Sequence, residues 1–130
     1  MKIRCGVDII ENRRIKEAVE KTERFLEKNF TDKEIEYCRS KKAGMYQSLA
    51  ARFAAKEAVA KALGTGFTRI IQPKNIEILT EENGSPYVVL GDEIKKEFRT
   101  VSDISLSMSH CTEHSVAYAV ITYTEDDIGN

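Results

Sequence analysis

The stretch GMYQSLAARFAAKEAVAKAL, residues 44–63, decides the fold. Leu49, Phe53, Ala60 and Leu63 recur at helical spacing, and the many alanines lose least on entering a helix. The spacing predicts one long helix from about Gly44 to Leu63. Gly64-Thr65-Gly66 then stops it, because glycine accepts the left-handed backbone that helix ends need. A helix so rich in small side chains must pack closely against other elements.

Before this helix, Ile3, Cys5, Val7 and Ile9 alternate with Lys2, Arg4, Gly6 and Asp8. That alternation predicts a half-buried strand, with the apolar set on one face and Asp8 on the other, at the strand's end. A charged, helical stretch is expected from Asn12 to about Lys28. Thr31-Asp32-Lys33-Glu34 reads as a capping box, in which hydroxyl and carboxylate satisfy free N–H groups at a helix start; it predicts a helix from Asp32 to about Arg39. After the long helix, Ile76, Ile78 and the Tyr87–Leu90 run flank Asn83-Gly84-Ser85-Pro86, a hairpin pattern. Asp92 to Arg99 is expected as a short helix. Ile104, Leu106 and Met108 alternate with Ser105, Ser107 and Ser109 as a strand, and a polar connection, Cys111–His114, leads to a last strand, Val116–Thr124, paired with it. The order lacks a strict βαβ rhythm, so the class is α+β.

The 130 residues suit a single domain, 1–130, without repeats or linkers. Twenty basic against 21 acidic residues leave a net charge of −1, so no global field draws nucleic acid or an anionic membrane. No run approaches a membrane span, and the N-terminus is too weakly apolar for a signal peptide. Cys5, Cys38 and Cys111 fit neither a disulfide framework nor a zinc site, and read as reduced thiols of a cytoplasmic protein.

Two carboxylates stand out. Asp8 lies on an apolar strand and Glu57 on the alanine-rich helix; brought together, they suit Mg²⁺, which takes one or two protein carboxylates and completes its shell with water and phosphate. Read locally, Asp8 is equally a turn carboxylate, and Glu57 an i,i+4 partner of Lys61. Arg52 and Lys56 share one helix ridge, with Phe53, Glu57 and Lys61 on the next, so the cationic stripe beside Glu57 is either a solvated face or a set of charges for phosphate oxygens. Gly64-Thr65-Gly66 is either a plain helix stop or a loop whose N–H groups approach a phosphate. His110 shares the parity of the apolar residues of its strand, which must bend there for the ring to reach a site with Ser109. Arg13, Arg14, Lys16, Lys21, Arg24 and Lys28, interleaved with glutamates, form a solvated face or a docking surface for an acidic partner.

Four ordered blocks then resemble one family. Gly6-Val7-Asp8-Ile9-Ile10-Glu11 with Arg14 is similar to the G-[IVL]-D-[IVL]-x-E opening of holo-acyl-carrier-protein synthases. Arg52-Phe53-Ala54-Ala55-Lys56-Glu57-Ala58 with Lys61-Ala62 and Gly64-Thr65-Gly66 resembles the R-F-A-x-K-E-A-x-x-K-A signature of phosphopantetheinyl transferases. Gly84-Ser85-Pro86 resembles the family's G-x-P turn, and Ser107-Met108-Ser109-His110 its S-[ILM]-[ST]-H strand; Phe30-Thr31 with Glu34 resembles a further recurring element. The resemblance implies the 4'-phosphopantetheinyl transferase fold, an antiparallel sheet packed with a long central helix. It implies Mg²⁺-dependent transfer of phosphopantetheine from coenzyme A to a serine of an acyl carrier protein, in support of fatty acid synthesis, with 3',5'-ADP leaving. It implies Asp8 and Glu57 at the metal, and Asp8, Glu57, Lys61 and His110 as the catalytic set. Arg52, Lys56, Gly64, Thr65, Gly66, Gly84, Pro86, Ser109 and His110 are implied at coenzyme A, and Arg14, Lys21 and Arg24 at the carrier's acidic helix. The acceptor of the serine proton stays open between Glu57 and a metal-bound water held by Asp8. The short length implies a homotrimer with sites between subunits. Two alternatives stand beside this: a transferase acting on peptide or polyketide carriers, and a non-catalytic module binding coenzyme A or carrier.

Overall fold

The computed structural model describes residues 1–124; residues 125–130, the end of the expected 1–130 domain, lie outside the described residues. The alternating N-terminus forms strand β1 (Lys2–Glu11), which runs past Asp8, so that carboxylate sits within the strand and not at its end. Three helices follow: α1 (Asn12–Lys21), α2 (Arg24–Asn29) and α3 (Asp32–Arg39). The helical stretch expected to reach Lys28 is split at Thr22, where the backbone is extended and the hydroxyl accepts from the Arg24 N–H. A threonine oxygen offering the backbone an alternative partner is enough to end one helix and start another. Helix α3 begins on the expected capping box: the Glu34 N–H donates to the Thr31 hydroxyl at 3.3 Å, and the Thr31 N–H to the Glu34 carboxylate at 2.9 Å.

The long helix is α4 (Met45–Ala62). Beyond it come the hairpin β2 (Ile76–Thr80) and β3 (Pro86–Leu90), helix α5 (Asp92–Glu97), and the long strands β4 (Val101–His110) and β5 (His114–Tyr123). The last strand takes the centre of an antiparallel three-stranded sheet in the order β1-β5-β4, while β2 and β3 form a sheet of their own. This is the expected α+β arrangement, with the sheet packed on a central helix.

Apolar on nearly every side, α4 fills the space between two cores, as such a helix must. One core joins Ala54, Ala58 and Ala62 to Ala117, Ala119 and Ile121 of β5; the other gathers Ile15, Leu26, Phe30, Cys38 and Leu49 from the helices. Small residues let backbone meet backbone. A Cβ on Gly6 would overlap the Ala58 carbonyl oxygen and lie 2.9 Å from the Ala62 nitrogen, so β1 crosses α4 at the one residue without a side chain.

That crossing inverts the expected faces of β1. Gly6, Asp8 and Ile10 turn towards α4, whereas Ile3 is 63% and Ile9 65% exposed, with Val7 also exposed. Register carries the outer apolar face across the sheet, pairing Val7 with Tyr118 and Ile9 with Val116. All three cysteines are unpaired, Cys38 buried, Cys5 and Cys111 exposed.

Candidate functional site

Asp8 comes to α4 two residues beyond the glycine crossing, on the same face of β1. There it meets Lys61, whose ammonium donates to Asp8 Oδ1 at 3.2 Å and to the Val7 carbonyl at 3.0 Å. Glu57, one turn before Lys61, completes the group. Its carboxyl is pushed up, first by partial burial and then by the negative charge of Asp8, against the opposing pull of Lys61. So the two carboxylates feel one another, and Lys61 pairs with Asp8. Two coupled carboxylates that share one ammonium leave an excess of negative charge in a half-buried place, which a hard divalent cation can offset. Among the described residues no three His, Cys, Asp or Glu side chains form a closed metal cage. An open site with two protein carboxylates fits Mg²⁺, which keeps positions for water and phosphate.

On the other flank of α4 lies a cavity of ≈ 400 Å³, lined by Tyr37, Lys41, Arg52, Thr80, Gly84 and His110 among others. Arg52 is 4% exposed; it donates to the Ser48 hydroxyl at 3.0 Å and the Thr80 hydroxyl at 2.6 Å, and its guanidinium stacks 4.4 Å from the Tyr37 ring centre. Its buried Nε has no partner among the described residues. A buried guanidinium with an unused N–H, beside Lys41 and His110, is suited to an anion. Lys41 lies 4.7 Å from the same ring. Burial raises the Tyr37 phenol, but hydrogen bonds with Lys41 and Thr80 and the charges of Lys41 and Arg52 outweigh it, for a net downward shift. Tyr37, Lys41 and Thr80 escaped the sequence reading; a Tyr-x-x-x-Lys spacing at the end of α3 was the only signal available. A larger groove of ≈ 620 Å³ between β3, α5 and β4 contains none of the expected site residues.

Several expected residues are placed differently. Lys56 is fully buried, and its ammonium donates to Glu34 Oε1 at 2.8 Å, the Pro73 carbonyl at 2.8 Å and the Ile76 carbonyl at 2.7 Å. Its three protons are taken, so none remains for a phosphate, and the expected cationic stripe beside Glu57 reduces to Lys61. Burial lowers the Lys56 pKa, against the charge of Glu34. Two of the loop amides are engaged as well: the Gly64 N–H donates to the Lys61 carbonyl and that of Gly66 to Ala60, closing the end of α4, with both glycines at positive φ. Thr65, between them, is exposed, its hydroxyl on the Gly66 carbonyl. No bend brings His110 to Ser109. β4 runs straight through His110, which pairs with Ser115, and Ser109 lies on the opposite face beside Val116. Gly84 takes the positive φ of the hairpin turn, and Pro86 opens β3 opposite Thr80. Arg14 and Lys21, seven apart, share one exposed ridge of α1, and exposed Arg24 opens α2; Arg14 lies 3.7 Å from Glu11.

Both clusters suit a phosphate-bearing ligand, and comparison with known proteins gives that chemistry a family. Residues 4–119 match the 4'-phosphopantetheinyl transferase superfamily, to which the chain belongs. Its relatives are narrower in kind: the holo-[acyl-carrier-protein] synthase of Ruminiclostridium cellulolyticum is 53% identical over 125 residues, 94% of this chain and 93% of that protein. Among solved structures, the holo-[acyl-carrier-protein] synthase of Neisseria meningitidis superposes with a TM-score of 0.83 at 33% identity, over 92% of this chain and 97% of that one. The Helicobacter pylori holo-[acyl-carrier-protein] synthase in complex with coenzyme A gives 0.82 at 30% identity, over 91% and 99%.

Proposed function

We propose that the chain transfers the 4'-phosphopantetheine group of coenzyme A to a serine of an acyl carrier protein, releasing 3',5'-ADP, in the service of fatty acid synthesis. The carrying observation is the grouping of Asp8, Glu57 and Lys61 across the β1–α4 crossing in a chain whose relatives are holo-[acyl-carrier-protein] synthases. Serine oxygen bonds to the β-phosphorus as the bond to the departing 3',5'-ADP breaks, and such transfers depend mostly on positioning and charge neutralisation. Asp8 and Glu57 would hold Mg²⁺, whose charge would offset that of the pyrophosphate. Lys61 stands where its ammonium can leave Asp8 for a phosphate oxygen. Arg52, Lys41 and His110 would receive the 3'-phosphate end of the nucleotide, with the Gly84–Pro86 turn at its edge.

Along α4, Arg52 and Lys61 are nine residues apart, half a turn out of phase at 100° per residue, so the two clusters occupy opposite flanks. That separation supports a reading in which one coenzyme A is shared between two copies of the chain. The exposed apolar face of Ile3, Val7, Ile9 and Tyr118 is surface such an assembly would bury, which supports the reading of a homotrimer with sites at its seams. Arg14, Lys21 and Arg24 would receive the carrier's acidic helix. No helix among the described residues is long and apolar enough to cross a membrane, and unpaired thiols suit a reducing compartment, which supports the cytoplasm.

The test is mass spectrometry of an apo-carrier protein incubated with the chain, coenzyme A and Mg²⁺. A gain of one phosphopantetheine, lost with chelator, is expected; no gain with a competent carrier sinks the reading in favour of a non-catalytic binding module. Faster modification of a peptidyl than of a fatty-acid carrier points to the alternative carrier class. Light scattering in solution reads the assembly.

A further inference from the structure

Asn12, the first residue of α1, belongs to neither cluster, yet it is 6% exposed and commits its polar groups to one turn. Its backbone N–H donates to the Glu113 carbonyl at 2.8 Å. Its side-chain Nδ2 donates to the carbonyls of Cys111 at 3.0 Å and Thr112 at 3.1 Å, and its Oδ1 accepts from the Ser115 hydroxyl at 2.6 Å. The turn is the one that follows His110 directly, closed by the Cys111 N–H on the His114 carbonyl at 2.8 Å. Ser115, 1% exposed, is the strand partner of His110, and its hydroxyl also lies 3.5 Å from the carbonyl of Gln47, which lines the His110 cavity.

Only a primary amide offers two donors and an acceptor in so small a space. A carboxylate there would face two carbonyl oxygens, and an apolar side chain would strand both carbonyls and the Ser115 hydroxyl. Helix α1 has no side-chain cap and no acidic residue in its first turn, so this turn is what anchors its start. Arg14 stands two residues further on.

We infer that Asn12 is a positioning residue: it fixes the His110 end of β4 to the start of the carrier-facing helix, so one buried amide sets both the nucleotide cavity and the docking ridge. The inference rests on the transferase reading and adds a residue to it. The Asp8, Glu57 and Lys61 group is untouched by the network, so the deficit falls on binding and not on turnover.

The test compares N12D, N12L and S115A with the unsubstituted chain, by calorimetric titration with 3',5'-ADP, by kcat and KM for coenzyme A and carrier, and by melting. N12D and N12L are expected to bind 3',5'-ADP about tenfold more weakly and to raise both KM values several-fold, with kcat held within about threefold. S115A, which keeps both carbonyl bonds, is expected to weaken 3',5'-ADP about twofold. Folded N12D and N12L with unchanged affinity and KM values overturn the inference even where melting falls, since a merely structural residue would do that. Where neither folds, unchanged affinity in S115A overturns it. Failure of the unsubstituted chain to bind 3',5'-ADP overturns both this and the transferase reading.

Discussion

Lys56 and Lys61 lie five residues apart on α4 and face opposite environments. Lys56 points into the interior between α3 and β2, enclosed by one carboxylate and two carbonyls. Lys61 points towards β1, half exposed, with Asp8 and one carbonyl as partners and room for more. Sequence makes them look like members of one cationic surface. What separates them is the number of acceptors each ammonium meets and whether water reaches it: the first holds the fold together, and the second is free to change partners.

Breaking the buried side should give the largest effect. Lys56→Met leaves the Glu34 carboxylate buried without its cation, and we expect a loss of about 3–5 kcal/mol in chemical denaturation, the range for removing one partner of a buried pair. Coenzyme A KM in the folded fraction should stay unchanged; a clear rise would put Lys56 back in the coenzyme site. On the open side, Glu57→Gln should lower kcat about 100-fold, or roughly 2.7 kcal/mol of barrier, with the fold retained. Near-normal turnover would remove Glu57 from the metal site.

Smaller effects sharpen the contrast. Arg14→Glu should raise the carrier KM about tenfold, leave the coenzyme A KM unchanged, and fade as salt is added. Equal changes in both constants would argue against docking on α1. The smallest concerns pH. The Glu57 carboxyl is raised by burial and by Asp8, so it holds its proton more tightly folded than unfolded. Its contribution to the stability of the metal-free chain is complete below the ordinary value of 4.5 and is lost as pH rises through the raised value. Stability measured against pH for the chain and for E57Q should therefore converge at low pH; parallel curves would mean that the carboxyl is unperturbed.

Local signals were readable because their causes are local. The Thr31–Glu34 box, the glycine stop after α4 and the Gly84 turn each act within a few residues, and all three stand where expected. Parity gave β1 its alternation but not its buried side. The side that packs on α4 reads Gly6, Asp8, Ile10, and a glycine chosen for close approach looks like no packing residue at all. The role of Lys56 was hidden for another reason: its partners come from residues 34, 73 and 76, and nothing within a helical turn announces them. Residue chemistry offered Asp8 and Glu57 as one option among others, and the family resemblance chose it, since two acids 49 positions apart have no local signature of proximity.

Glu34 has a consequence for how the chain acquires its structure as it is made. One oxygen accepts from the Thr31 N–H and Lys56, the other from the Ile78 N–H at 2.8 Å. The box at the start of α3 closes as soon as that segment exists, but its carboxylate stays incomplete until β2 has been synthesised. A nascent chain stopped between α4 and β2 would leave Glu34 without the Ile78 N–H and Lys56 without the Ile76 carbonyl. The N-terminal helices and α4 are thus expected to remain loose on the ribosome and to lock together in one late step, when residue 78 arrives.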